Sequence, residues 1–306
     1  MSNSGQFPYE NILILRLAKS GTASAKILLD LGKHVRVNDM NAKETDPNVR
    51  QLEAMGAELV VGSHPVSVLD GMNIVIKNPG IPYHNLIVQE AEKRGIPVVT
   101  EVELAYYLTD GDIIGITGSN GKTTTTTLIH DMLKESGRPV KLGGNIGIVA
   151  SEAAYEAQRE ESLVLELSSF QLQGTEKFKP KISVMLNLFE AHLDYHETFE
   201  NYKKAKVNLI KNQTETDYFV YNIEDADVAR EAEKTKAQRI PFSVRLHLKE
   251  GAWASEDHIY YKTEKIMKRE EIVLVGDHME PGASPGWFPF LRRDLRDYQK
   301  PGTPLP

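Results

Sequence analysis

Residues 113–124 read Ile113-Ile114-Gly115-Ile116-Thr117-Gly118-Ser119-Asn120-Gly121-Lys122-Thr123-Thr124. An apolar run leads into a glycine-rich turn, and the turn opens an amphipathic stretch that ends near Glu135. The pattern predicts a strand, a phosphate loop and a helix. Glycines let backbone N–H groups converge on phosphate oxygens, and the helix N-terminus adds the positive end of its dipole. Lys122 reaches outer phosphates and the Thr123 hydroxyl is a ligand for Mg²⁺. Gly118, Ser119, Asn120, Gly121, Lys122, Thr123 and Thr124 are therefore expected to hold a nucleoside triphosphate.

The common phosphate loop has a glycine five residues before the one that precedes lysine, and that position holds Ile116. Gly118 stands closer, in a shortened loop, so a chance glycine-lysine-threonine match is the competing reading. Against it stand the preceding strand, the helical spacing of Leu128, Ile129, Met132 and Leu133, and Gly137 as a stop.

At 306 residues the chain suggests two domains or two and a fraction, each able to bury a core. The net charge of −7, with no block of Lys and Arg, argues against a nucleic-acid surface. Without cysteine there is neither a disulfide framework nor a thiolate metal site. The stretch Met1 to Glu10 has no cationic start or apolar core, and no run approaches the roughly 20 apolar residues of a membrane span. A soluble cytoplasmic protein without membrane association is expected.

Working outward, Asn11 to Leu15 reads as a strand, followed by a helix with Ala23, Ile27, Leu28 and Leu31 on one face and a second strand ending at Asp39. Further signals alternate through Glu58 to Val61, Asn73 to Ile76, Leu86 to Arg94 and Pro97 to Thr100. The expectation is an α/β chain: a Rossmann-like parallel-sheet domain over 1–109, then a P-loop ATPase-like central α/β domain over 110–276. Strands are expected in the second at Ser162 to Leu167, Ile182 to Leu188, Tyr218 to Tyr221 and near Arg239 to Val244, with a hairpin over Trp253 to Val275. Six of the fifteen prolines fall between Asp277 and Pro306, and 277–306 reads as an irregular tail.

In the first domain, a dinucleotide-type loop would place glycines at 16, 18 and 21, where this chain has Arg16, Ala18 and Gly21. Asp39 ends the second strand at about the distance where such folds contact a ribose or base. A nucleotide-containing ligand and a purely structural βαβ unit both remain open on these residues alone.

Glu166 ends the run Leu163-Val164-Leu165 at the carboxyl edge of a sheet, and with Thr123 it makes a reasonable hard-oxygen pair for Mg²⁺. An exposed strand-end glutamate is the alternative. His192, Asp194 and His196 lie close in sequence and invite a zinc reading, but the phosphate loop implies an oxygen-liganded magnesium site and no thiolate supports zinc. Lys206 falls on the apolar stripe of a helix from about Thr198 to Asn212, beside Phe199, Tyr202, Leu209 and Ile210. Such a lysine is either used or snorkels outward along its stem.

Taken together, Thr117 to Thr124, Gly143-Gly144-Asn145-Ile146-Gly147, Leu165-Glu166-Leu167-Ser168-Ser169-Phe170-Gln171-Leu172 and His192-Leu193-Asp194 resemble the Mur ligases over about residues 9 to 278. Leu17-Ala18-Lys19-Ser20-Gly21 and Asn78-Pro79-Gly80-Ile81 fit that family's UDP-binding domain. Within the family the resemblance is to members that add D-glutamate to UDP-N-acetylmuramoyl-L-alanine in peptidoglycan synthesis, using ATP and Mg²⁺ and passing through an acyl phosphate. It implies Lys122, His192 and Lys206 as catalytic residues. Thr123 and Glu166 would serve one metal ion, and His192 and a carbamylated Lys206 a second. Lys19, Ser20, Gly21, Asp39, Gly80 and Asn145 would bind substrate, and a monomer is expected.

Two departures accompany the resemblance. Arg16 stands where the family has glycine, and it either obstructs or pairs with the UDP pyrophosphate. The family also has a third domain, carrying the D-glutamate site. Here Gly276-Asp277-His278 begins the usual junction and Met279 replaces asparagine, so a truncated chain with impaired ligation is expected. An inactive nucleotide-binding fragment and another ATP-dependent amide ligase, such as a folylpolyglutamate synthase, are the alternatives.

Overall fold

The computed structural model describes residues 7–272. The expected tail 277–306 and the junction Gly276 to His278 lie outside the described residues. The chain forms two compact units. Among the described residues, one comprises 7–110, Gly143–Arg159 and Phe170–Phe178, and the other Gly111–Leu142, Glu160–Ser169 and 179–272.

The first unit is built on β1 (Asn11–Leu15), α1 (Lys19–Asp30), β2 (His34–Asp39), α2 (Pro47–Ala54), β3 (Glu58–Val61), β4 (Ile74–Lys77), α3 (Leu86–Lys93), β5 (Val98–Val99) and α4 (Glu101–Leu108). Its sheet is parallel in the order β3-β2-β1-β4-β5. Ile12 to Leu15 and Ile74 to Ile76 are buried as continuous runs, as strands covered on both faces must be. Leu13, Leu15, Val75, Ile87, Val88 and Ala91 form one core cluster, where each large aliphatic side chain contributes on the order of 1.5–3 kcal/mol by leaving water. The order reverses between β1 and β4, so the ends of these strands, at Arg16 and Asn78, flank a topological switch point, where ligands of open α/β sheets bind.

Two buried acids on α4 draw later segments into this unit. The Glu103 carboxylate accepts the backbone N–H groups of Glu176, Lys177 and Phe178 at 2.8, 2.7 and 3.1 Å. Glu101 accepts from Ser151 N–H at 2.9 Å and from the Gln171 amide at 3.3 Å.

The second unit contains β6 (Ile113–Thr117), α5 (Lys122–Glu135) and most of β7 (Val140–Gly144), whose last residues belong to the first unit with α6 (Ala150–Glu156) and most of α7 (Ser169–Gln173). It continues with β8 (Ser162–Glu166), β9 (Ile182–Met185), α8 (Leu193–His196), α9 (Phe199–Val207), β10 (Tyr218–Asn222), α10 (Ala226–Ala232), β11 (Gln238–Ser243), β12 (Ala252–Ala254), β13 (His258–Tyr261) and β14 (Glu264–Lys268). The sheet order is β14-β13-β12-β11-β10-β9-β6-β8-β7. Parallel pairing joins β8, β6, β9, β10, β11 and β12 in turn. Ile114 and Ile116 of central β6 pack with Ile129 and Leu133 of α5 and with Val164 and Val184.

The structure refines several expectations. The expected hairpin is three strands: β12 adds parallel to β11, then β13 and β14 follow antiparallel. The strand at Ile182 stops at Met185, because Asn187 is committed to the phosphate loop. The helix carrying Lys206 stops at Val207, and the chain tightens into i to i+3 bonds from Leu209 N–H to Lys206 O and Ile210 N–H to Val207 O. Among the described residues no helix is long and apolar enough to cross a membrane.

Candidate active site

In the second unit the site grows from the turn between β6 and α5. Gly121 precedes α5 with φ of +80°, a conformation cheap for glycine, and no side chain caps the helix. Its first-turn N–H groups are left to meet an anion. Gly118 has a steric reason to be glycine, since a Cβ there would stand 2.9 Å from Leu186 Cβ. Asn187 holds the loop from the side. Its amide oxygen accepts Asn120 N–H at 2.9 Å, its amide nitrogen donates to Asn120 O at 3.2 Å, and its carbonyl accepts Ser119 N–H at 3.1 Å. The Ser119 hydroxyl meets the Tyr202 hydroxyl at 2.8 Å.

Charged groups converge on this turn. Lys122 Nζ donates to Gly118 O at 2.9 Å and Ser119 O at 3.0 Å. Lys206 Nζ donates to the same Gly118 O at 2.9 Å and to Thr117 Oγ1 at 3.2 Å, and lies 5.0 Å from the centre of the Tyr202 ring. The Thr117 hydroxyl spends its own proton on Leu167 O at 2.8 Å, so it faces Lys206 as an acceptor. Thr123 Oγ1 donates to Glu166 Oε2 at 2.8 Å, and the Glu166 carboxylate is 1% exposed at the end of β8. Burial lowers the Lys122 amine, while the nearby Glu166 charge raises it. Burial, followed by the Lys122 charge, lowers Lys206 far below its ordinary value, with Glu166 opposing.

Lys206 is thus buried, 2% exposed, and does not snorkel. His192 is exposed in a left-handed backbone conformation, with φ of 54°, and its ring lies 6.3 Å from the Tyr202 ring. His196 is buried and bonded to Ser169 Oγ at 2.9 Å. Among the described residues no three His, Asp or Glu side chains group as metal ligands, so the zinc reading of His192, Asp194 and His196 has no geometric basis. Hydroxyl and carboxylate oxygens at Thr123 and Glu166, beside a lysine and an uncapped helix end, suit Mg²⁺ carried on phosphates.

The remaining site residues lie in the first unit. Asp39 takes Leu17 N–H at 2.8 Å on one oxygen, and Asn41 and Ala42 N–H at 2.8 and 3.1 Å on the other. Ser20 Oγ accepts from the Asn78 amide at 2.8 Å, and Asn78 Oδ1 accepts Gly80 N–H at 3.1 Å, which ties the turn after β4 to the start of α1. Gly21 abuts the preceding turn so closely that a Cβ would stand 2.0 Å from Arg16 O. Lys19 Nζ donates to Gly147 O at 2.7 Å, reaching the turn that carries exposed Asn145. A cavity of about 570 Å³ opens here, lined among others by Arg16, Lys19, Lys26, Asp39 and Glu152.

Sequence reasoning singled out the cations and carboxylates but not Thr117, Asn187 or Tyr202 as shapers of the loop. For Asn187 the position just past a central strand was a usable signal. The Tyr202–Ser119 pair, 83 residues apart, left none.

Residues 116–278 match the family described as Mur ligase middle domain, and residues 10–100 match the Mur ligase MurD-like, N-terminal domain. A protein of Oceanobacillus iheyensis named UDP-N-acetylmuramoylalanine--D-glutamate ligase is 55% identical over 272 residues, 89% of this chain and 61% of that protein. A protein of the same name from Bacillus subtilis is 53% identical over 280 residues, 91% of this chain and 62% of that protein. The chain therefore spans about six-tenths of the length of these relatives. In fold it is similar to the crystal structure of UDP-N-acetylmuramate:L-alanyl-gamma-D-glutamyl-meso-diaminopimelate ligase from Neisseria meningitides, at a TM-score of 0.56 and 17% identity over 88% of this chain and 89% of that one. A murein peptide ligase from Psychrobacter arcticus gives a TM-score of 0.53 at 16% identity, over 85% of this chain and 60% of that one. Through both its N-terminal and its middle domain, the chain belongs to the Mur ligase family.

Proposed function

We propose that this chain carries the UDP-substrate and ATP domains of a ligase that adds D-glutamate to UDP-N-acetylmuramoyl-L-alanine in cytoplasmic peptidoglycan synthesis, working as a monomer. The observation that carries the reading is the meeting of Lys122 and Lys206 on Gly118 O beside the Thr123–Glu166 pair. The names of the relatives support the choice of substrates. In that chemistry ATP with Mg²⁺ supplies the phosphoryl group that activates a carboxylate as an acyl phosphate for attack by the amine.

The chain's own part is positioning and charge. The residues from Gly118 to Thr124 offer backbone donors, and Lys122 neutralises charge on outer phosphate oxygens. Thr123 and Glu166 are the oxygen donors for one metal ion. Lys206, its amine lowered by burial, is open to carbamylation, which exchanges a buried amine for an oxygen-bearing anion beside the loop; with His192 it would serve a second ion. Lys19, Ser20, Gly21, Asp39, Gly80 and Asn145 hold the UDP-linked substrate.

Calorimetric titration of the full chain tests this with Mg²⁺-ATP and, separately, UDP-N-acetylmuramoyl-L-alanine. Both are expected to bind, the first weakened by Lys122→Ala and the second by Asp39→Ala. Folded protein that takes up neither ligand would defeat the proposal.

A further inference from the structure

One residue of the β1–α1 turn is held in a strained backbone conformation. Arg16 has a φ of +76°, a region that L side chains enter at an energetic cost and glycine does not. Strained residues of this kind persist where surroundings over-determine them, and they cluster at ligand clamps. Here Arg16 N–H donates to Asn38 O at 2.8 Å, and Gly21 packs against the Arg16 carbonyl. These contacts fix the turn, and the side chain leaves it in a defined direction. Arg16 Nη1 reaches the β4–α3 turn, 4.0 Å from where a Cβ of Gly80 would stand.

The charges around the cavity decide what the guanidinium can meet. The carboxylates are already engaged: Asp39 holds the N–H groups of Leu17, Asn41 and Ala42, Asp46 that of Asn48, and Glu152 that of Val149. Lys19 is turned onto Gly147 O. Among the described residues Arg16 and Lys26, both lining the cavity, make no side-chain hydrogen bond or ion pair. Lys19, Thr22, Ala23 and Lys26 recur at helical spacing along the wall, and α1 begins at Lys19 with no side-chain cap. The cavity therefore offers two uncommitted cationic donors, Arg16 and Lys26, beside carboxylates that already accept backbone N–H groups.

We propose that Arg16 contacts the phosphate groups of a nucleoside diphosphate ligand in this cavity and sets the chain's affinity for them. The inference rests on reading the first unit as the UDP-substrate domain. Obstruction is the opposite outcome, and size argues against it. Arg16 is exposed at the rim, and about 570 Å³ stays open with its side chain in place, within the range of small-molecule sites. The planar guanidinium supplies paired donors matched to phosphate oxygens, at the place where a glycine would offer only close backbone approach.

Titration of the full chain with UDP and with uridine, at two salt concentrations, tests the proposal in the parent, Arg16→Gly and Arg16→Asn. Both replacements tolerate the left-handed backbone, so a folding defect in one leaves the other informative. UDP affinity is expected to fall about tenfold or more in both and to lose part of its salt dependence, with uridine affinity unchanged. UDP affinity that holds or rises in the variants, or an equal loss for uridine, overturns the role of Arg16 while leaving the cavity a UDP site. A parent that binds neither compound overturns the reading of the first unit, and this inference with it.

Discussion

Lys122 and Lys206 aim their side-chain nitrogens at one acceptor, the Gly118 carbonyl oxygen, each at 2.9 Å. The first comes from the start of α5 and the second from α9, and β6 delivers the carbonyl between them. Burial lowers both amines, and the Lys122 charge lowers Lys206 further, with Glu166 opposing in each case. Lys206, the more buried of the two, is lowered well below its ordinary value.

A neutral buried amine is what carbon dioxide requires. With ¹³C-labelled bicarbonate at neutral pH, NMR of the folded chain is expected to show a carbamate resonance that is absent from Lys206→Ala. A parent spectrum without that resonance refutes carbamylation at Lys206.

Truncating Lys122 removes the loop's charge-assisted donor. Lys122→Ala is predicted to weaken Mg²⁺-ATP binding by on the order of tenfold or more, since hydrogen bonds to charged groups contribute about 1.5–3 kcal/mol. Calorimetry that finds equal affinities would show that the phosphates sit elsewhere.

Glu166→Gln keeps the shape of the buried side chain and removes its charge. In the parent, ATP affinity should be much higher with Mg²⁺ than with a chelator. In the variant the two affinities should approach each other, because one hard anionic ligand is lost. Mg²⁺ dependence that survives the substitution argues against Glu166 as a ligand.

At Gly21 the prediction concerns stability. A methyl group would meet Arg16 O at 2.0 Å, and backbone cannot swing aside as a flexible side chain can. Gly21→Ala is expected to destabilise the chain by about 1–3 kcal/mol, in the range of overpacked sites. Urea unfolding measures it, and a midpoint at or above the parent's would contradict the packing described.

Burial pulls the Lys77 amine down to about 7 from 10.5, where it donates to Ile81 O at 2.9 Å. Between those values the unfolded chain holds a proton that the folded chain has released. Stability from this group therefore rises with pH across the window, and below about pH 7 its penalty is fully present. Lys206 acts in the same direction, so the parent is best compared with Lys77→Met. The parent's stability relative to the variant should increase from pH 7 to 10, and parallel pH profiles would place the Lys77 amine back at its ordinary value.

Much of the fold was legible because period and punctuation agreed. Strands β1, β6 and β8 are unbroken apolar runs, and α5 announces itself by Gly121 before it and Gly137 after it. Short helices such as α2 and α10 are not legible in the sequence, each being capped by an aspartate, Asp46 and Asp225, whose role shows only once the next N–H groups fold onto it. The pairing of edge strands β12 to β14 is not legible in the sequence, because alternation marks strands without saying which neighbour they join.

By itself the sequence determined the phosphate loop, the carboxylate at the end of β8, and the anomaly of a lysine on an apolar stripe, since these follow from local spacing and from the cost of burying charge. Only the tertiary structure decided that Lys206 meets Lys122 on one carbonyl, that Thr117 faces it as an acceptor, and that Asn187 and Tyr202 hold the loop. It also decided that Arg16 stands uncommitted at the rim of a cavity whose acids are already engaged. Those relations join residues tens of positions apart, and they exist only where sheet order brings strand ends together. Local propensity carries no term for that order.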